Sequence, residues 1–355
     1  MNSKNKHKFA LSIAIFFQLF CFASLAFAIE QEKGLTRYTP TEKYSFAQEE
    51  KIAVVVGLSD YPERGGLSSL NYADNDANAM GKQLEAMGYK VEVLTNHNAT
   101  SSAVINVMQD LGQYLEPEKG TFLFYFSGHG FAHEQTNYLA TYESSPANIQ
   151  YTGLALDAVI DQMRDTGAKR QILLVDACRN DPDIVGKSVG GSRSFTQFSE
   201  AEGTKILFST KFGGKSYEYS NLGHGVYTHY LLNGLKGKAR QKDGAISFGD
   251  LADYVSSNVK KFAYKAKLTQ VPFVAGEYNG DFLLHTITKD NPLSTDEMLS
   301  SNTFADPIPR PMSQKKNKPW YKNPWFWAGM AIAGGGTAIY LNQDSDSGDR
   351  TTRTE

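Results

Sequence analysis

The sequence of 355 residues predicts an α/β fold, in which a mostly parallel central sheet of about six strands carries helices on both faces. Short β-branched apolar runs, typical of strands buried on both faces, recur along the middle of the chain. Segments of helical periodicity separate them, and this alternation is typical of a parallel sheet. The composition, 41% hydrophobic and 21% charged, excludes a disordered, collagenous or coiled-coil chain.

The elements of this sheet are predicted in chain order from residue 51 onward. The first strand is the run Lys51-Ile-Ala-Val-Val-Val-Gly57, which ends at a glycine. The further predicted strands are 88–94, 121–126, 171–175, 205–208 and a last one at 281–285. The predicted helices are 73–87, 101–115, 154–164, 226–235 and 247–262. Residues 51–286 are therefore expected to form one folded domain.

The N-terminal residues 1–28 are predicted to be a secretory signal peptide. Lys4, Lys6 and Lys8 precede an apolar run that ends in Ala26-Phe-Ala28, which is the order of a basic region, an apolar region and a small-residue cleavage site. The run is long enough that an uncleaved membrane anchor is an alternative. Export would place the chain in the periplasm or outside the cell. A polar lead-in follows at 29–50.

Beyond residue 286 the composition changes to a linker rich in Pro, Ser and Lys, 287–324. It leads to 325–341, an uncharged run with aromatic residues at both ends, which is predicted to be a transmembrane helix. An acidic tail, 342–355, closes the chain. An interfacial helix or an oligomerisation segment is the alternative, because the lysines before the run and the acids after it oppose the positive-inside tendency of an exported protein.

Net charge and cysteine content narrow the classes of function. The formal net charge of −2 gives no indication of a nucleic-acid-binding surface. The two cysteines are Cys21, inside the predicted signal peptide, and Cys178. Cleavage would leave Cys178 alone, so the exported fold would have no intramolecular disulfide. A lone thiol in an oxidising compartment is expected to be buried or used.

Two predicted central strands end in residues that could form a nucleophile and its base. One is followed by Ser127-Gly-His129-Gly130 and the other by Asp176-Ala-Cys178. In open α/β sheets, sites form beyond the carboxyl ends of the strands. An imidazole can act as the base of a thiol or stabilise its thiolate. The glycines around His129 allow a close approach of the backbone, so the amides of Gly130 and Cys178 are predicted to bind an oxyanion.

These motifs resemble the catalytic histidine and cysteine of the caspase-like peptidases, peptidase family C14, and most closely those of bacterial metacaspase-like proteins. The spacing of roughly 50 residues agrees with a related caspase signature. Leu70-Asn-Tyr-Ala-Asp-Asn-Asp76 and Gly223-His-Gly-Val-Tyr-Thr228 resemble the starts of two helices of that family. The resemblance implies the three-layer caspase-haemoglobinase fold, with a large-subunit-like part (51–182), a linker (183–203) and a small-subunit-like part (204–286).

The resemblance implies a cysteine endopeptidase that cleaves proteins or peptides through a Cys178–His129 dyad. Metacaspases carry an aspartate two residues before the cysteine, so Asp176 implies Arg or Lys at P1, the residue before the scissile bond. Residues two apart on a strand share a face, which directs Asp176 and Cys178 toward the same crevice. Asp76 matches a second pocket acid of metacaspases.

A structural role for these two aspartates is the alternative: Asp176 would pair with Arg170 or Arg179, and Asp76 with Lys82. Ser209 and Thr210, at the end of a predicted strand, are expected to border the substrate cleft, and so are Tyr217 and Glu218. In the linker, Lys187 and Arg193 are the autocleavage points that a basic P1 preference would imply.

No cofactor or metal site is predicted; the resemblance allows calcium dependence, but no residue set in the sequence establishes it. His224, between two glycines, is a rival base, although its place before a helix predicts a loop or cap residue near the substrate groove. A membrane-tethered, non-hydrolytic caspase-like module for signalling or scaffolding is the alternative function. A small-ligand-binding domain is disfavoured because the sequence has no glycine-rich phosphate loop of the right spacing. The sequence leaves the oligomeric state open.

Overall fold

The computed structural model describes residues 38–134, 136–177, 203–211, 214–276 and 280–286. The strands are β1 Lys51–Gly57, β2 Lys90–Thr95, β3 Thr121–Gly128, β4 Gly130–His133, β5 Thr136–Leu139, β6 Leu154–Ala155, β7 Arg170–Ala177, β8 Thr204–Phe208, β9 Glu218–Tyr219, β10 His224–Gly225, β11 Ala245–Ser247, β12 Phe273–Gly276 and β13 Leu283–Thr286. The helices are α1 Pro40–Gln48, α2 Ala73–Ala86, α3 Ser101–Gly112, α4 Ile149–Thr152, α5 Leu156–Asp165, α6 Val226–Asn233 and α7 Phe248–Lys265.

The central sheet has six strands in the order β12-β8-β7-β3-β1-β2. Its neighbours are parallel, except that β12 runs antiparallel to β8. The β-branched and aromatic runs of β1, β3 and β8 are buried along their whole length, as a sheet covered on both faces requires. The prediction of a mostly parallel sheet of about six strands is confirmed.

Helices cover both faces of this sheet and give the molecule three layers. Alternate residues of β1 belong to two separate apolar clusters, with Val54 in one and Val55 in the other, because successive side chains of a strand point to opposite faces. The first cluster includes Val104 of α3 and Val159 of α5. The second is completed by α2, α6 and α7. The three-layer α/β architecture is therefore the one that the sequence predicts.

Helix α2 packs closely against the carboxyl end of β1 at Gly57. A Cβ atom at Gly57 would lie 2.3 Å from the carbonyl oxygen of Ala73 and 2.5 Å from the Cβ of Ala77. Only a residue without a side chain fits between the strand and the helix here. As a result, the first turn of α2, which carries Asp76, lies directly at the carboxyl end of β1.

The edges of the fold differ from the prediction. The strand expected at 281–285 exists as β13, but it pairs with β11 in a separate two-stranded sheet. The sixth strand of the central sheet is β12 instead, which sequence analysis missed because the run has four residues, follows Pro272 and ends at Gly276. Part of the lead-in 29–50 is helical: α1 begins with a capping box between Thr39 and Glu42.

Several predictions concern residues outside the described ranges. These are the signal peptide (1–28), almost all of the linker 183–203 with Lys187 and Arg193, and the segments 287–324, 325–341 and 342–355. Among the helices of the described ranges, none combines the length and the apolar character needed to cross a membrane.

Lowering the pH is expected to destabilise the fold through His285 of β13. The side chain is 2% exposed, and its Nε2 has no hydrogen-bond partner among the described residues. Burial lowers the pKa of His285 to about 4. Because an unfolded chain binds this proton near pH ~6.5, the unfolded state holds more protons between those two values, and the free energy of unfolding falls by up to roughly 3 kcal/mol as the pH drops through this window.

Urea unfolding of the parent and of His285→Leu, measured across this pH window, tests the prediction. The variant is expected to lose less stability on acidification than the parent, whereas His97→Leu, which removes an exposed imidazole, should behave as the parent. Carboxylates titrate in all three proteins, so the difference between the profiles isolates His285. Parallel profiles for the parent and His285→Leu would contradict it.

Candidate active site

The two strands that carry the motif residues lie side by side and in register. The pairing of β3 with β7 matches Ser127 with Asp176 and Gly128 with Ala177. His129 and Cys178 are the residues that follow this last pair in the chain. Cys178 lies outside the described residues. The register therefore brings the described ends of both motifs to the same level of the sheet edge.

His129 is half-buried and fixed through both its backbone and its ring. The backbone N–H donates to the hydroxyl of Tyr61 at 3.1 Å, and ring Nε2 lies 2.7 Å from the carbonyl oxygen of Ser68. A carbonyl can only accept, so Nε2 carries the proton and Nδ1 of the neutral ring carries the lone pair. Burial lowers the pKa of His129, which favours the neutral form. His129 is thus arranged to act as a base through Nδ1.

Tyr61, which sequence analysis missed, bridges the backbones of His129 and Ala140 through its hydroxyl, where a direct hydrogen bond between strands is expected. Ala140 donates its N–H to the carbonyl of His129 at 2.9 Å. The expected return bond is bridged by the Tyr61 hydroxyl, which accepts from His129 N–H and donates to the carbonyl of Ala140 at 3.4 Å. The Tyr61 ring also packs against the imidazole, with centroids 5.2 Å apart. The tyrosine therefore fixes the backbone and the ring of His129 together.

The backbone amide of Gly130 is left available by this arrangement. Gly130 pairs with Leu139 across β4 and β5, and the neighbouring pair, His129 with Ala140, is the hydrogen-bonded one. Hydrogen-bonded and non-hydrogen-bonded pairs alternate in antiparallel strands, so the N–H of Gly130 points away from β5. Since β4 is at the edge of the sheet β4-β5-β6, no strand of the described residues pairs with this amide, as its predicted role at the oxyanion requires.

A cavity of about 70 Å³, here called the acidic pocket, opens beside His129. Its lining includes His129, Asp76, Asp176, Tyr217, Glu218 and Gly225. Tyr217 and Glu218 were expected near the substrate cleft, and both lie in this wall. The carboxylates of Asp76 and Asp176 come from different layers, α2 and β7, and meet here because α2 begins and β7 ends at the same edge of the sheet.

Asp176 is held by hydroxyl groups and not by a cation among the described residues. One carboxylate oxygen accepts from Ser216 at 2.6 Å and the other from Thr228 at 2.7 Å. The hydroxyl of Thr228 is also within 2.7 Å of that of Tyr125. Burial raises the pKa of Asp176, while the hydroxyl bonds lower it. The structural alternative fails for Arg170, which pairs with Glu49; Arg179 lies outside the described residues.

Asp76 is almost completely buried and is bonded to the β10 strand. Its Oδ1 lies 2.7 Å from Nδ1 of His224, and its Oδ2 accepts from the backbone N–H of Gly225 at 3.1 Å. Its ion-pair partner in the described part of the chain is thus His224, and not Lys82. Burial raises the pKa of Asp76 to about 7, against the bond from His224 and together with the charge of Asp176.

Gly225 separates the two buried carboxylates. A Cβ atom at this position would lie 2.7 Å from Oδ2 of Asp176 and 3.0 Å from Oδ2 of Asp76. Any side chain would therefore collide with both carboxylates. The glycine therefore allows the two carboxylates to lie close together with no side chain between them.

Ser209 and Thr210 follow β8 and are both buried. The Ser209 hydroxyl donates to the carbonyl of Ala177 at 3.3 Å, and neither residue belongs to the lining of the acidic pocket. Their predicted role at the cleft stays a prediction.

Ser68, Ser216 and Thr228 were not identified as functional from the sequence, since no local pattern distinguishes a hydroxyl or carbonyl that meets a distant residue. In the described ranges, no group of three or more His, Cys, Asp or Glu side chains is arranged to hold a metal ion.

Comparison with known proteins gives three findings. The family model for the caspase domain, Peptidase C14, matches residues 50–283, well over half of the chain. A probable protease from a Desulfuromonadales bacterium is 27% identical over 161 residues, which are 41% of this chain and 18% of that protein, so the chain matches less than a fifth of its relative. The crystal structure of a Geobacter sulfurreducens protein aligns with a TM-score of 0.48 and 17% identity, over 65% of this chain and 95% of that one.

Replacement of Thr228 by valine is expected to destabilise the protein. The isosteric change removes the donor to Asp176 and the partner of Tyr125 in a buried site, and an unsatisfied buried polar group costs about 1–3 kcal/mol. Thr228→Ser keeps the hydroxyl and is the matched control, which should retain most of that stability. Urea unfolding measures both variants; equal stability of Thr228→Val and the parent would show that this bond contributes nothing.

Proposed function

The chain belongs to the caspase domain family of peptidases, and from this membership we propose that it is a cysteine endopeptidase with Cys178 as nucleophile and His129 as general acid and base. The observation that carries the proposal is the register of β3 and β7, whose last pair, Gly128 with Ala177, is followed in the chain by these two residues. The neutral ring of His129, protonated at Nε2, supports the role of its Nδ1 as the base.

The proposed reaction proceeds through an acyl-enzyme. Nδ1 of His129 accepts the thiol proton of Cys178, the resulting thiolate attacks the scissile carbonyl carbon, and the amides of Gly130 and Cys178 stabilise the oxyanion that forms. His129 donates a proton to the leaving amine as the carbon–nitrogen bond breaks. Water, deprotonated by His129, then attacks the thioester, releases the new carboxyl terminus and restores the thiol.

We also propose that the acidic pocket binds the P1 side chain and prefers Arg or Lys. Asp76 and Asp176 lie on either side of Gly225 and line the same cavity as His129. Two carboxylates in a buried site favour a cation, and a guanidinium can make charge-assisted bonds to both. Glu218, at the same wall, adds a further acidic group.

Export and processing remain proposals from the sequence. We propose that residues 1–28 direct the chain out of the cytoplasm, that 325–341 attach it to a membrane, and that Lys187 or Arg193 in the linker are cleaved by the protein itself. Self-cleavage at Lys187 or Arg193 would agree with a basic P1 preference, since both residues are basic.

Replacement of Cys178 by alanine is expected to reduce cleavage of a peptide with Arg at P1 by at least about a thousandfold, because the nucleophile is lost. Cys21→Ala is the matched control, since it removes the other cysteine and should leave kcat/KM unchanged. The measurement is the release of a fluorophore from the peptide by the purified full-length chain. Retained activity of Cys178→Ala would refute the proposed nucleophile, and no turnover by the parent on any basic-P1 peptide would favour the non-hydrolytic module.

Replacement of Asp176 by asparagine is expected to lower kcat/KM for Arg-P1 and Lys-P1 peptides by about 10- to 100-fold, the value of a hydrogen bond to a charged group. Peptides with an uncharged P1 residue should lose much less. Asp161→Asn, at an exposed position of α5, is the control for a change in net charge. The ratio of kcat/KM between Arg and norleucine at P1 is the readout, and an unchanged ratio would refute the assignment of the pocket.

A further inference from the structure

His224 lies between a buried carboxylate of the acidic pocket and the solvent. Its side chain is 21% exposed, whereas that of Asp76 is 2% exposed, and Nδ1 of His224 lies 2.7 Å from Oδ1 of Asp76. The other oxygen of Asp76 accepts from the N–H of Gly225 at 3.1 Å and faces the Ser127 hydroxyl at 3.4 Å. Oδ1 of Asp76 is thus bonded to the imidazole of His224, and Oδ2 is bonded to the backbone of Gly225, which lines the acidic pocket.

Among the described residues, the groups that face Asp76 are acidic or neutral apart from this imidazole. Asp176 faces it from β7 and Glu218 lies in the same pocket wall from β9. Tyr125 from β3, whose pKa burial raises, stays neutral. Asp74 is on the same helix, two residues before Asp76 and in the same first turn. His129 lines the opposite part of the pocket, and burial lowers its pKa, so its ring is neutral as well.

Burial and the charge of Asp176 oppose ionisation of Asp76, and His224 favours its ionisation. Burial is the largest effect and raises the pKa of Asp76 to about 7, and the charge of Asp176 acts in the same direction. The hydrogen bond and the charge of His224 lower that pKa. Without the imidazole, Asp76 would hold its proton to higher pH, and a protonated carboxyl attracts a cation far less than a carboxylate does.

We propose that His224 is a specificity-determining residue of the acidic pocket, which keeps Asp76 ionised and oriented so that a cationic P1 side chain meets two carboxylates. The inference rests on the proposed preference for basic P1 residues and gives a role to a residue that the sequence analysis placed in a loop or cap near the substrate groove. His224 contacts Asp76 and not the reacting atoms, so its role is that of a positioning residue.

Binding of benzamidine, a small amidinium that represents the head group of arginine, tests this inference without turnover. Isothermal titration calorimetry is done on the full-length chain carrying Cys178→Ala, with and without His224→Leu. His224→Asn retains a donor near the position of Nδ1 and is the conservative variant. His97→Leu removes an exposed imidazole that does not line the acidic pocket and is the matched control. Thermal unfolding establishes that each variant is folded.

His224→Leu is expected to bind benzamidine at least about fivefold more weakly than the parent at pH ~7, because loss of the hydrogen bond from His224 raises the pKa of Asp76 and leaves more of its carboxyl protonated. By pH ~9 the difference should shrink to within about twofold, since Asp76 ionises in both proteins. His224→Asn should lie between them, and His97→Leu should match the parent. If His224→Leu does not fold, the same comparison is made with His224→Asn.

Two results would overturn the inference. An equal loss of affinity at both pH values would mean that His224 only supports the fold, and tighter binding by His224→Leu would mean that the imidazole competes with the ligand for Asp76. Absence of benzamidine binding by the parent at every pH would overturn both this inference and the basic P1 preference. Peptide cleavage by the chain with Cys178 intact is measured separately, so failure of the proposed peptidase activity is distinguishable from either result.

Discussion

The parallel, in-register pairing of β3 with β7 is the constraint on which the site depends. Both strands are buried almost throughout, and a slip of one residue would turn their apolar side chains to the wrong face. The same register fixes Gly128 opposite Ala177, and with it the level at which both motifs leave the sheet. Packing of the core therefore determines the relative placement of the two motifs before any polar contact at the site contributes. Tyr61 then refines the position of His129.

The acidic pocket depends on a second, polar junction, between the start of α2 and the hairpin of β9 and β10. Glu218 accepts the backbone N–H groups of Asn71 and Tyr72, and the side chain of Asn75 donates to the carbonyl of Gly223 at 3.0 Å. These segments are more than a hundred residues apart in the chain, and the hairpin follows the linker in the sequence. Directional bonds between them fix the pocket geometry more narrowly than apolar packing would, because each depends on distance and angle.

Much of this architecture could be predicted because its signals are local. The buried strands, the amphipathic helices and the motifs around His129 and Asp176 are each visible in a few consecutive residues. What sequence analysis missed depends on tertiary contact: β12 is a short edge strand defined by its partner β8, and Thr228 and Tyr61 act on residues far away in the chain. Asp176 was expected near a basic side chain in the structural alternative, yet hydroxyl groups satisfy it, which no pattern of charges along the sequence could indicate.

The two buried carboxylates, Asp76 and Asp176, carry an energetic cost that the fold itself does not require. In the described part of the chain no Lys or Arg pairs with Asp76 or Asp176, and burial raises the pKa of both. A fold selected for stability alone would replace such a pair with apolar groups of similar volume, because desolvation of the charges exceeds what their hydrogen bonds return. Gly225 also places no side chain between them, since a Cβ atom there would collide with both carboxylates. Two buried acids that no Lys or Arg of the described residues neutralises are what the proposed binding of a cationic P1 side chain requires.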